Sequence, residues 1–117
     1  MRIEGDRRLL RIYIGESDRV AGLPLYEWIV QRARARGLAG ATVLRGIEGF
    51  GAASRIHRAS ILRLSEDLPI VVELVDSREA IEAFLAELEP HLGGGMVTLE
   101  RVEVVLYRAR RDEEAPA

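Results

Sequence analysis

Three consecutive glycines, Gly93, Gly94 and Gly95, are the run of this chain whose residue type most directly suggests chemistry. With no side chains to shield them, successive backbone amides can form a nest for an anion. The same run serves equally well as a tight turn with no ligand, and the residues alone leave both readings open. Arg108 and Arg110, farther down the chain, are candidate suppliers of positive charge to such a nest, or ordinary tail charge. A second glycine cluster, Gly46, Gly49 and Gly51, permits a bend, a bulge or close approach by another backbone, and leaves room for a ligand beside it. Phe50 between two of these glycines is an anchor, either into the core or onto a partner. Arg55, His57 and Arg58 form a short basic cluster, suited to an acidic partner or phosphate, or else simply solvated charge.

Several chemistries are excluded by what the chain lacks. It has no cysteine, which removes disulfides, thiolate nucleophiles and cysteine-ligated metals. All 17 of its basic residues are arginine, so Schiff-base lysines and the phosphate-loop lysine are also absent. His57 and His91 are the only histidines and do not have metal-ligand spacing. Ser54 and Ser60 lack a nucleophile motif, and Glu48 has no identifiable partner carboxylate. The expectation is a protein that is not an enzyme and holds no metal.

The 117 residues fit one domain, with about two thirds of the unfolded surface buried on folding. The net charge of -2 does not suit a nucleic-acid binder. The charge is unevenly distributed. Residues 1–60 hold 11 arginines against 6 acids, and residues 61–117 hold 6 against 13. No apolar run approaches the length of a membrane span, and no leader pattern is visible, so a cytoplasmic protein without membrane insertion is expected.

These residues are positioned by a short series of elements. Leu10, Ile12 and Ile14 alternate with Arg11 and Tyr13, which predicts a strand over 8–15. Leu25, Trp28, Ile29 and Ala33 recur at helical spacing, and Gly37 is placed to end a helix over 23–36. A second strand follows over 42–47. The hydrophobic pattern then lapses from about Gly49 to Leu68. The expected mobile part of that excursion is Gly49 to about Ala59, with Ser60 to Leu64 returning as strand. Ile70 to Val75 is the third strand. Asp76, with Glu79 three residues on, resembles a capping box opening a helix that carries Ile81, Phe84, Leu85 and Leu88 and stops at Pro90. Val97 to Tyr107 is predicted as the last and longest strand, before a flexible, charged tail.

The order β-α-β-β-α-β predicts an α+β, ferredoxin-like fold: a four-stranded antiparallel sheet with two helices on one face. Val71 and Val72 point opposite ways in a strand, as do Val104 and Val105. Some apolar side chains therefore lie on the face without helices, which points to a homo-oligomer that covers them.

The stretches Arg45-Gly-Ile-Glu-Gly-Phe-Gly51 and Ile56-His-Arg58 resemble the family called domain of unknown function 190. So do Leu10-Arg-Ile-Tyr-Ile-Gly15, Pro24-Leu-Tyr-Glu27 and Asp67-Leu-Pro-Ile-Val-Val-Glu73. Members of that family look like the PII signal-transduction proteins, which are trimers with a loop that contacts target proteins and nucleotide clefts between subunits. The resemblance implies that residues 1–117 form one PII-like domain with a folded core of about 7–108. It implies a cytoplasmic homotrimeric regulator that takes a small anion, with an adenine nucleotide as the candidate. On this likeness the ligand site draws on Gly46, Gly49, Gly51, Gly93, Gly94, Gly95 and Arg108. The loop residues Phe50, Arg55, His57 and Arg58 would meet a partner protein. One departure stands out: the PII turn carries an acidic residue and a lysine, and neither lies between Gly93 and Val97 here. A ligand-free structural or protein-interaction module is the alternative, with a small enzyme as the third reading.

Overall fold

The computed structural model describes residues 3–50, 57 and 58, and 67–110. The chain runs β1 (Gly5–Gly15), β2 (Arg19–Val20), β3 (Leu23–Pro24), α1 (Leu25–Ala35), β4 (Ala41–Arg45), β5 (Glu48–Gly49), β6 (His57–Arg58), β7 (Pro69–Asp76), α2 (Arg78–Leu88), a 3₁₀ turn (Glu89–His91) and β8 (Met96–Val104). The four long strands form one sheet in the order β4-β7-β1-β8, and every pairing is antiparallel. This is the expected ferredoxin-like arrangement, with β1 and β7 in the middle.

The period-two pattern decides the faces. Leu10, Ile12 and Ile14 oppose Leu74, Val72 and Ile70 in register, and all six are buried. Leu25, Ile29 and Ala33 of α1 and Ile81, Phe84 and Leu88 of α2 pack onto them. Phe84 is fully buried. Removing a side chain of this class from water stabilises by about 1.5–3 kcal/mol. Trp28 is only half-buried. It covers the edge of this core with its ring 4.4 Å from that of His91.

The helix ends are set locally. Gly37 takes φ +76°, its N–H donates to the Arg34 carbonyl, and the Leu38 N–H donates to the Ala33 carbonyl. These two bonds close α1 as a Schellman motif, and Leu38 packs back on the core. The start of α2 differs from expectation. Asp76 belongs to β7, is 4% exposed, and accepts from the Ser77 and Ala39 amides. Ser77 is the cap, and its hydroxyl accepts from the Ala80 amide at 3.1 Å. The two helices are joined by Glu87, which accepts from Arg32 Nε at 2.6 Å and from Arg36 Nε.

Strand ends depart from expectation in three places. The longest strand is β1, with 11 residues, rather than β8, with 9. The ladder of β8 ends at Val104 because its partner β1 begins at Gly5, opposite it. β4 stops at Arg45 rather than Ile47, where Gly46 gives its N–H to the Pro69 carbonyl. Residues 59–66 and 111–117, including the expected strand Ser60 to Leu64 and the tail, lie outside the described residues.

Candidate functional site

One end of the sheet gathers the strand ends that hold both glycine clusters. There the β1–β2 turn, the end of β4 and the start of β7 are tied together. The Glu16 amide donates to the Leu68 carbonyl at 2.8 Å and the Ser17 amide to the Asp67 carboxylate at 2.6 Å. The Asp18 carboxylate accepts from the Gly15 amide at 3.0 Å, and Arg45 pairs with Glu16. The packing is close. A Cβ on Gly15 would meet Asp67 Oδ2 at 2.7 Å, and a Cβ on Gly46 or Gly49 would meet the Pro69 ring at 2.8 or 3.2 Å. A side chain at Gly46 would force the Pro69 ring to shift, and one at Gly49 would crowd it.

Beyond this base, Glu48–Gly49 pairs with His57–Arg58 as a short antiparallel ribbon. Ile47 and Phe50, on either side of β5, are 77% and 69% exposed. Phe50 therefore faces solvent in the protomer and is not an anchor into the core. Gly51 and Arg55 lie outside the described residues.

The Gly93–Gly95 cluster is at the same end of the sheet but on the other edge. Gly95 takes φ +110° and leads into Met96, which opposes Tyr13. A Cβ on Gly93 or Gly94 would meet nothing within 4 Å. Two strands, β7 and β1, separate the β4 edge from the β8 edge, a span of about 14 Å at normal strand spacing. Within one protomer, Gly46 and Gly49 therefore do not meet Gly93–Gly95.

Arg108 is not brought there either. Its neighbour Tyr107 donates from its N–H to the Glu4 carboxylate at 3.2 Å and from its hydroxyl to the Ala39 carbonyl at 2.5 Å. Glu4 precedes β1, while Gly95 packs near Tyr13 at the other end of that strand, about 30 Å away by strand rise.

The sheet face without helices carries a feature that sequence reasoning missed. Arg11 Nε donates to Glu73 at 2.9 Å, and its Nη1 donates to Glu100 at 2.5 Å, across β7, β1 and β8. These bonds, Glu73 first, hold the Arg11 guanidinium protonated more firmly than usual. Around this polar strip, Leu9, Tyr13, Val71, Val75 and Val102 are half-buried, and Leu44 and Met96 are exposed. The alternation identified Arg11 as outward-facing, but its partners are 62 and 89 residues away. Among the described residues, no group of three His, Asp or Glu side chains is placed to hold a metal ion, and no helix is long and apolar enough to cross a membrane.

Residues 7–104 match DUF190, described as an uncharacterized ACR. The chain belongs to the DUF190 family. A UPF0166 protein of Aquifex aeolicus is 41% identical over 99 residues, covering 85% of this chain and 93% of that one. Among solved structures, this DUF190 chain is similar in fold to CPII of Thiomonas intermedia K12, a nitrogen regulatory PII-like protein bound to ADP, AMP and bicarbonate. The TM-score is 0.65 at 16% identity, with 85% of this chain and 88% of that one covered. It is also similar to the GlnK–ATP complex of B. subtilis, with a TM-score of 0.51, 15% identity and coverage of 86% and 85%. At these identities the likeness concerns the fold, which is PII-like.

Proposed function

We propose that this chain is a non-enzymatic, PII-like regulator that assembles as a homotrimer and takes a small anionic ligand between subunits. An adenine nucleotide is the candidate ligand, and the loop after β4 meets a partner protein. One observation carries this reading. The two glycine clusters sit at the same sheet end on opposite edges, so only a neighbouring copy can bring the Gly46–Gly49 edge of one protomer to the Gly93–Gly95 edge of another. The uncovered, largely apolar sheet face gives such copies a surface to meet on. The nucleotide and bicarbonate in the CPII structures support the ligand class.

In this mechanism the open amides of Gly93 and Gly94 receive the anion, as a nest does. The ligand also touches the loop base of the adjacent subunit. Arg45 there is held by Glu16, and an anion competes for that guanidinium. Exchange of Glu16 for ligand alters how Ile47 and Phe50 are presented, and so alters fit to the partner. A cytoplasmic setting suits such a regulator.

Titration calorimetry with ADP, ATP, AMP and bicarbonate tests the reading, together with light scattering for assembly. Saturable binding by the assembled protein is expected, with loss of binding on dilution to protomers. If no nucleotide or bicarbonate gives heat or raises the Tm, the sensor reading is abandoned. The ligand-free interaction module would then stand, favoured by the absence of any lysine or acidic residue between Gly93 and Val97.

A further inference from the structure

At the far end of the uncovered face, away from both glycine clusters, a cleft of about 420 Å³ opens among Ile3, Leu9, Thr42, Val75, Val104 and Tyr107. The chain leaves β8 at Val104, which opposes Gly5, and is fixed again three residues later by the two hydrogen bonds of Tyr107. Between these points lie Val105 and Leu106, 83% and 63% exposed. The short, doubly tethered segment presents two apolar side chains to solvent beside an apolar cleft that it leaves open.

We infer that Val105 and Leu106 of one protomer seat in this cleft of a second copy, so that the segment after β8 latches neighbouring subunits together. The inference rests on the assembly proposed above and identifies the residues that lock it. The exposed pair and the cleft occur at the same end of every protomer, and both adjoin the face that assembly covers. They are different surfaces, so the contact is heterologous and closes into a ring where the rotation permits. Charge favours the same occupant. Arg108 and Arg110 follow the apolar pair, while Glu73 lines the cleft and Glu100 lies beyond it across Arg11.

The native chain has no cysteine, which allows a direct test. Leu106→Cys protein is mixed with Thr42→Cys protein, oxidised, and analysed for a disulfide between the two species. In parallel, sedimentation velocity compares wild type with the double variant Val105→Asp/Leu106→Asp. The latch predicts a cross-species disulfide and association at least tenfold weaker in the double variant, with an unchanged circular-dichroism spectrum. Both substituted residues are exposed in the protomer, so folding should survive, and the cysteine mixture does not depend on the aspartates. An assembled wild type that gives no cross-species disulfide, or whose double variant associates equally well, overturns the latch and leaves the assembly standing. Small-molecule occupancy of the cleft would give that same result. A wild type that stays monomeric removes the assembly and the latch together.

Discussion

Gly95 packs against Tyr13 so closely that a Cβ on Gly95 would stand 2.3 Å from the Tyr13 carbonyl oxygen. The glycine also holds φ +110°, where an L side chain is strained. Gly93 and Gly94 meet neither condition. Gly95→Ala should therefore destabilise by about 1–3 kcal/mol or more. Gly94→Ala should stay within about 0.5 kcal/mol of wild type. Urea unfolding of the two variants decides it, and equal midpoints would show that the turn does not depend on this contact.

That contrast marks what the sequence could and could not convey. The run of glycines was visible, but which glycine the backbone demands depends on the register of β8 against β1, more than 80 residues apart. Faces were legible because alternation in β1 and β7 is strict: Leu10, Ile12 and Ile14 are in, Leu9, Arg11 and Tyr13 are out. Strand ends were not, because an end depends on where the partner begins. Val104 is the last residue with a partner, Gly5, so Tyr107 lies beyond the ladder and bonds to Glu4 instead. The separation of the two glycine clusters onto opposite edges is likewise a property of strand order, which residue spacing does not encode.

The start of α2 offers a second test. Asp76 and Glu79 have capping-box spacing, yet the in-facing alternation of β7 continues through Asp76 and buries it. The cap passes to Ser77. Ser77→Ala should cost about 1 kcal/mol. Asp76→Ala should cost about 1–3 kcal/mol, because it leaves the Ala39 and Ser77 amides without their acceptor. Thermal or urea unfolding reads both. A larger loss from Ser77→Ala than from Asp76→Ala would reverse the assignment.

Glu87 makes the packing of α1 on α2 sensitive to acid. Hydrogen bonds from Arg36 and then Arg32 hold its carboxyl below the usual carboxylate range. Its folded pKa is therefore lower than its unfolded value of about 4.3. The sign follows from linkage: stabilisation is full above the unfolded pKa and disappears as pH falls through the folded one. Wild type should have a higher urea midpoint than Glu87→Gln at pH 6. The gap should narrow below about pH 4. A constant gap down to pH 2.5 would contradict the ion-pair account.

Arg11 tests whether the uncovered face is an assembly surface. In the protomer its pairs with Glu73 and Glu100 are partly open to water, and such pairs contribute little to folding. Covered by another copy, the same group would be desolvated, and removing the guanidinium would leave two carboxylates without a cation. Arg11→Met should therefore leave the protomer folded while weakening association at least about tenfold. Adding Glu73→Gln and Glu100→Gln should recover much of that loss, because the uncompensated charges go with them. Sedimentation velocity on the single and triple variants separates this from a general packing defect. A packing defect persists in the triple variant, whereas a charge defect is relieved. If all three proteins associate alike, this face is not where copies meet.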